Sequence, residues 1–395
     1  MANDDAQEAA RRTIAESLAL LQRGRAPDAL ELLNQACRAE PGNLELMLHQ
    51  ALALRMLGRL PEALRALDAA LAIDPYFFLA LMSKGTVLER MDAPRLAALV
   101  YRDALKIAPN AAELPAALAA PLDHAREVVA NDALALADFL RERTGTTRAA
   151  HGGESLARFD ECLDIYAGTK RVYEAKPVQL HVPRLPAIPF YERASFPWLG
   201  RLEAATPTIR GELSALLDAG MPGFAPYIAY PPGTPVNQWA ELNHSRLWSS
   251  LWLWRDGVRQ DDAIAHCPRT AAVLETLPLA DQPGFAPTVV FSALAPRTRI
   301  PPHTGSTNAR LLVHLPLVLP GPAGFRVGNE TRQWRLGEAW VFDDTIEHEA
   351  WNDADDVRVI LILDVWNPQL SAAERELIST MMIARAQWYD RAVIR

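Results

Sequence analysis

Apolar residues in the first third of the chain follow a helical rhythm that itself repeats every 34 residues. Leu20, Leu54 and Leu88 stand one interval apart, as do Gly24 and Gly58, and Ala29, Ala63 and Ala97. The same spacing relates Ala36, Ala70 and Ala104, and Pro41, Pro75 and Pro109. Self-similarity at a fixed period marks a stack of identical units. Small alanines let two antiparallel helices approach closely, the glycine permits the turn between them, and the proline ends the second helix before the next unit begins. Asp92 stands where Gly24 and Gly58 stand, which predicts a looser turn in the third unit. From 111 to about 175 the pattern stays helical without the interval, with Leu134, Leu136, Phe139 and Leu140 on one side, and His151-Gly152-Gly153 break it.

The hydrophobic pattern changes after Lys176. Pro177, Pro183, Pro186, Pro189 and Pro197 exclude interior helix, and beyond them short runs of β-branched and aromatic residues are separated by Gly, Pro and Asp. The runs 288–294, 310–317, 338–342, 349–352 and 357–366 read as strands of an antiparallel sandwich or small barrel. A last helix opens on a capping box of Ser371 and Glu374 and runs through Leu377, Met381 and Ala384, which are expected to buttress the sheet. The 34-residue pattern resembles tetratricopeptide repeats, and a stack of that kind offers a surface for a partner segment or serves as a packing module. The predicted layout is α+β and multidomain: helical repeats at 1–115, a helical linker at 116–180 and a strand-rich domain at 181–395.

Composition narrows the function. The 395 residues are 50% hydrophobic, enough to bury a core in each of two domains. A net charge of -8 with no run of Lys or Arg lacks the electrostatic footprint of a nucleic-acid binder. Cys37, Cys162 and Cys267 have no metal-ligand spacing and read as buried small hydrophobes in a reducing cytoplasm. The polar residues 1–12 lack a signal peptide's apolar stretch, and apolar segments such as 357–366 fall short of the roughly 20 residues of a membrane span, so a cytoplasmic chain is expected.

Of the histidines, His49, His124, His151, His181, His244 and His266 have no partner at ligand spacing and read as surface or structural residues. His303, in Pro301-Pro302-His303-Thr304-Gly305, and His348, ending Phe342-Asp343-Asp344-Thr345-Ile346-Glu347-His348, lie in the strand-rich region. In a double-stranded β-helix, two strands distant in sequence face each other, so one imidazole from each can share an iron(II) ion. Arg358 sits on the next strand among Val357, Val359 and Ile360, where its fork needs a buried or ligand counter-charge. The same set also suits a structural metal in a cupin-like barrel.

Pro302-His303-Thr304-Gly305-Ser306-Thr307-Asn308-Ala309-Arg310 resembles the first signature of the aspartyl/asparaginyl β-hydroxylases. The stretch from Phe342 to Trp351, with Arg358 and Asp364-Val365-Trp366, resembles the second. The likeness runs from about Phe190 to the end, including Phe196-Pro197-Trp198 and Trp252-Leu253-Trp254-Arg255-Asp256-Gly257. It implies a double-stranded β-helix (jelly-roll) oxygenase that uses iron(II), 2-oxoglutarate and O2. His303 and His348 match the metal ligands, Arg358 and Ser292 match the residues holding the far carboxylate of 2-oxoglutarate, and His314 matches a further residue of that pocket. On the substrate side stand Arg310, otherwise a strand-end ion pair, with Asn243 and Trp239. Trp239, Trp248, Trp252 and Trp254 wall the pocket or simply fill the core.

Most oxygenases of this wider class offer a carboxylate two residues after the first histidine, where this chain has Gly305; the family resembled manages with two histidines and a water. A carboxylate from elsewhere would be Asp343 or Asp344, which read as turn residues. Leu312 replaces a basic residue of the animal members, and Pro235 to Ser245 is similar to bacterial members. The resemblance implies β-hydroxylation of an Asp or Asn residue in a peptide or protein, with succinate and CO2 released. Hydroxylation of a free amino acid or acyl lipid, or a non-catalytic repeat adaptor with a metal-binding barrel, are the competing readings.

Overall fold

The computed structural model describes residues 2–110, 115–153 and 155–390, so positions 111–114 of the expected helical extension lie outside the described residues. The chain divides into two compact units, 1–171 and 172–395. In the first, α1 (Ala2–Gln22) pairs with α2 (Ala26–Ala39), α3 (Leu44–Met56) with α4 (Leu60–Ile73), and α5 (Phe78–Arg90) with α6 (Pro94–Lys106). The periodic alanines do what their size allows: Ala29, Ala63, Ala70, Ala97 and Ala104 are fully buried where helices meet. At Gly85 a Cβ would stand 2.2 Å from the Tyr101 ring, so the glycine sets how closely α5 and α6 approach.

The three interhelical turns are alike. Gly24 and Gly58 take φ +74° and Asp92 takes +58°. The residue after each donates to the carbonyl five positions back, Arg25 to Leu20 and Arg59 to Leu54 at 2.9 Å and Ala93 to Leu88 at 3.0 Å. The looser third turn expected from Asp92 is thus corrected, because a short polar side chain tolerates the left-handed region.

Two further helices, α7 (Ala116–Ala150) and α8 (Ala157–Ala167), extend this unit in the segment expected as a linker, with Ala125 of α7 packed among Leu81, Ala97 and Tyr101. The buried stripe of α7 is Leu122, Ala125, Ala133 and Ala137. Leu134 and Phe139, expected on one packed face, are exposed; five residues apart, they lie far around the helix from each other. Cys162 is also exposed, against the expectation of a buried thiol. Among the described residues no helix is long and apolar enough to cross a membrane.

The second unit holds two antiparallel sheets. The larger runs β1 (Ala225–Pro226), β2 (Trp248–Arg255), β4 (Val289–Leu294), β11 (Arg358–Trp366), β6 (Arg310–Val318) and β9 (Trp340–Phe342), with β3 (Val258–Arg259) paired to β2. The smaller runs β5 (Thr298–His303), β10 (His348–Asn352), β7 (Ala323–Val327) and β8 (Glu330–Gln333). Two facing sheets of this kind make the expected jelly roll. The five predicted runs appear as β4, β6, β9, β10 and β11, each within two residues of its predicted start, whereas β2, with its Leu251-Trp252-Leu253-Trp254 run, is not among them. Strands β5 and β7 escape prediction because Pro301 and Pro302 are tolerated on a sheet-edge strand, and because Gly324 leaves room for Trp351, 2.2 Å from where its Cβ would stand.

Period-two alternation splits the larger sheet into two cores. Phe291, Val313, Leu315, Val359, Leu361 and Leu363 point outward beneath α9 (Leu199–Ala204), α10 (Thr206–Asp218), α11 (Asp261–His266) and α12 (Pro268–Leu274). Val290, Leu294, Ile360 and Ile362 point inward at the smaller sheet, meeting Phe325, Val327 and Ala350. Trp254 belongs to the outer core although Trp248 and Trp252 face inward, since a register shift between Trp252 and Trp254 reverses the alternation.

Helix α13 (Ala372–Asp390) begins at the expected capping box: Ser371 N donates to Glu374 Oε2 at 2.8 Å and Glu374 N to Ser371 Oγ at 3.3 Å. Its buried residues are Ile378 and Met382, not Leu377 and Met381, which are 68% and 50% exposed. Both pairs have helical spacing, and the shallow bed of Ala280, Ala286 and Ala309 accepts the first.

If the three turns are equivalent, Gly58→Ala should cost about 1 kcal/mol, whereas Asp92→Gly should be neutral or stabilise by up to ~1 kcal/mol. Urea titration followed by helical circular dichroism reads both; a comparable loss in Asp92→Gly would refute the equivalence.

Candidate metal and carboxylate site

Strands β5 and β10 run antiparallel with His348 directly opposite His303, and the two ring centroids lie 4.1 Å apart. Each ring is held by its own strand. His303 Nδ1 is 2.8 Å from the Pro301 carbonyl and His348 Nδ1 is 3.0 Å from that of Ile346. A carbonyl can only accept, so Nδ1 carries the proton and Nε2 keeps the lone pair that a metal needs. Burial lowers the pKa of His303 and drives that of His348 well below the usual imidazole range, with the neighbouring His303 adding to the latter effect. Two neutral, oriented imidazoles on facing strands fit a divalent transition metal such as iron(II).

The histidines have no third ligand from a side chain: among the described residues no group of three or more His, Cys, Asp and Glu is placed to hold a metal. Gly305 is required by space, because a Cβ there would meet Asp344 Oδ2 at 1.7 Å. Its N–H donates to the Asp344 carbonyl at 2.7 Å. Burial first, then the charge of Asp343, push the Asp344 carboxyl up to about 8. Asp343 is the expected turn residue, accepting from Thr345 N at 2.9 Å and Thr345 Oγ1 at 2.6 Å.

Beside this pair the larger sheet presents a second polar group. Arg358, on β11, is 1% exposed, and none of its three guanidinium nitrogens has a hydrogen-bond partner. Burial lowers its pKa to about 10. His314 lies opposite Ile362 on β6, faces the same inner core, and has Nδ1 buried without a partner. Burial, then the Arg358 charge, keep its imidazole neutral. Ser292, opposite Ile360 on β4, accepts the Trp248 indole N–H at 2.9 Å. A buried cation without a counter-charge is unstable in isolation, and the surrounding donors fit one carboxylate. Sequence reasoning misses Trp334, whose buried Nε1 also lacks a partner and whose ring lies 5.5 Å from the Arg358 guanidinium carbon. Its only signal is a tryptophan set between Arg332 and Arg335 in an otherwise polar stretch.

The residues expected to meet substrate divide. Trp239 stands edge-on to His303 with ring centroids 4.9 Å apart. Asn243 Oδ1 instead accepts from Tyr230 N at 2.9 Å and braces its loop. Arg310, expected to face a substrate carboxylate, is ion-paired with Asp364 and donates to the Phe285 carbonyl at 2.8 Å, both through Nη1. This is the strand-end ion pair held as the alternative for Arg310: Asp364 and Arg310 are near-opposite inward positions of adjacent strands, so the pair forms at the sheet's end. Leu312 offers no charge between Arg310 and His314.

A family model described as Aspartyl/Asparaginyl beta-hydroxylase matches residues 203–368, and a tetratricopeptide repeat model matches residues 14–76. The chain is 41% identical over 130 residues to the Homo sapiens aspartyl/asparaginyl beta-hydroxylase, a match covering 32% of this chain and only 17% of the human one. It is 33% identical over 204 residues to the ornithine lipid ester-linked acyl 2-hydroxylase of Rhizobium tropici, covering 50% of this chain and 68% of that one. The aspartate beta-hydroxylase domain-containing protein 2 of Xenopus tropicalis is 31% identical over 210 residues, 52% of this chain and 54% of its own.

Arg358→Met should stabilise the ligand-free protein by on the order of 1–4 kcal/mol in urea unfolding, since it removes a buried unpaired charge; a loss of stability would contradict that description. The buried histidines set a pH dependence. Their unfolded pKa is near 6.5 and their folded pKa lies below it, so under pH 6.5 the unfolded state binds more protons. The histidine contribution is therefore full above about pH 6.5 and is lost as pH falls toward the folded pKa, while the Asp344 carboxyl, pushed up to about 8, contributes in the opposite sense as pH falls below that value. The difference in melting temperature between His314→Asn and the wild type should therefore move in favour of the variant as pH is lowered from about 7 to about 5; a constant difference would contradict a buried neutral His314.

Proposed function

Because the chain belongs to the aspartyl/asparaginyl β-hydroxylase family, we propose that it is an iron(II)- and 2-oxoglutarate-dependent dioxygenase hydroxylating the β-carbon of an Asp or Asn residue in a peptide or protein. The observation that carries the reading is a pair of neutral histidines in strand register beside an arginine buried without a counter-ion. Bound iron supplies, with oxygen and 2-oxoglutarate, the oxidation that turns a C–H into a C–OH with release of succinate and carbon dioxide. His303 and His348 would hold the metal through Nε2, their Nδ1 protons fixed by the strand backbone. Arg358 would bind the far carboxylate of 2-oxoglutarate, with the Ser292 hydroxyl and His314 beside it. Phe325, Phe342 and Trp340 enclose this end of the barrel and exclude water, which strengthens the charge pairing. Trp239, edge-on to His303, would line the substrate side.

An acyl lipid is the second reading, favoured by the Rhizobium relative, which is named for hydroxylating an ornithine lipid and whose length the chain covers more fully than that of the human hydroxylase. The helical repeats favour a polypeptide, since such stacks commonly hold a partner segment, and we assign them recruitment of the substrate protein.

Mixed anaerobically with iron(II) and 2-oxoglutarate, the protein should give the weak visible charge-transfer band of the chelate, and His303→Ala should abolish it. A protein with no band is an adaptor, not an oxygenase. Incubation in air with peptide pools and with acyl lipids should give a one-oxygen mass gain in Asp- or Asn-containing peptides; a gain confined to lipids would replace the peptide reading.

A further inference from the structure

Trp334 follows β8 and is clamped between aromatic rings. Its indole stacks on Trp340 at 4.6 Å with planes 16° apart, and on His314 at 5.7 Å with planes 25° apart. The guanidinium carbon of Arg358 lies 5.5 Å from its ring centre. In this enclosure the indole N–H is buried and meets no acceptor. Two other enclosed indoles do find one: Trp248 donates to Ser292 Oγ at 2.9 Å and Trp366 to Asp281 Oδ1 at 2.7 Å. A buried donor left unpaired costs about 1–3 kcal/mol, so folded proteins seldom keep one unless a ligand supplies the acceptor.

We propose that Trp334 donates its indole N–H to the far carboxylate of 2-oxoglutarate alongside Arg358, and so determines specificity for a dicarboxylate cosubstrate. The inference rests on the reading of the barrel as a 2-oxoglutarate site. Its own support is the coincidence of orphaned groups: Arg358 Nε, Nη1 and Nη2, His314 Nδ1 and Trp334 Nε1 all lack partners within one aromatic shell. A carboxylate offers about four lone-pair sites, of which a guanidinium fork takes two, leaving acceptor capacity for the indole. The stack with Trp340 and His314 holds the ring in place, so the donor is fixed before the ligand arrives.

Trp334→Phe keeps the stacked ring and deletes only the donor. In the zinc(II)-loaded full chain without oxygen, calorimetric titration should show 2-oxoglutarate binding weakened about tenfold or more, the loss expected for one hydrogen bond to a charged group. Binding of 2-oxopentanoate, which has the same chain length but no far carboxylate, should be unchanged. Equal losses for both acids, or no loss for 2-oxoglutarate, would overturn the proposal. A second measurement reads the ligand response in the wild-type protein, using the variant only to assign the signal. In the wild-type protein with 15N-labelled tryptophan, the indole signal that Trp334→Phe removes should shift on adding 2-oxoglutarate and stay put with 2-oxopentanoate; a signal indifferent to both would also overturn it. Should the wild-type chain bind no 2-oxoglutarate at all, the reading of the barrel falls and the inference with it.

Discussion

The second unit is organised around a positive charge in the wrong place. Arg358 sits on a central strand, walled by apolar residues and with no carboxylate paired to it among the described residues, an arrangement that costs stability unless something anionic completes it. Several neighbours share this incompleteness: His314 is kept neutral partly by that charge, and Trp334 has a donor with nowhere to go. A packed core would tolerate none of this. The anion pocket proposed above accounts for it, because donors already held and desolvated lose little on binding.

The barrel supplies this arrangement through strand alternation. Every second residue of β4, β6 and β11 faces the smaller sheet, so Ser292, His314 and Arg358 all point inward, at successive inward registers of an otherwise hydrophobic wall. The facing sheet contributes the two imidazoles in register, each pinned by the carbonyl two residues before it. The outward-facing residues of the same strands form a separate core under the helices, which packs the back of that inner wall. Apolar packing on one face and unsatisfied polarity on the other are two consequences of one period-two pattern.

The first unit shows a different economy. Its repeats are read almost directly from residue type, since fully buried alanines and left-handed turns recur at fixed intervals. Asp92 belongs to the series because the backbone conformation, not the identity of glycine, is what the turn demands.

The local rules were legible in the chain itself: the repeat period, the capping box of α13, five of the strands, and the histidine and arginine motifs that resemble a known family. These depend on interactions within a few residues or on patterns that identify a fold. Choices among equivalent local patterns were not legible. Leu377 with Met381 and Ile378 with Met382 have the same helical spacing, and only the alanine bed beneath decides which pair is buried. A proline-bearing edge strand holds His303, a register shift turns Trp254 to the outer core, and Arg310 closes on Asp364. Trp334 became meaningful only through its unpaired N–H beside Arg358. Each of these depends on which distant residue happens to be the neighbour, and distance through space is a property the order of residues does not contain until the chain has folded.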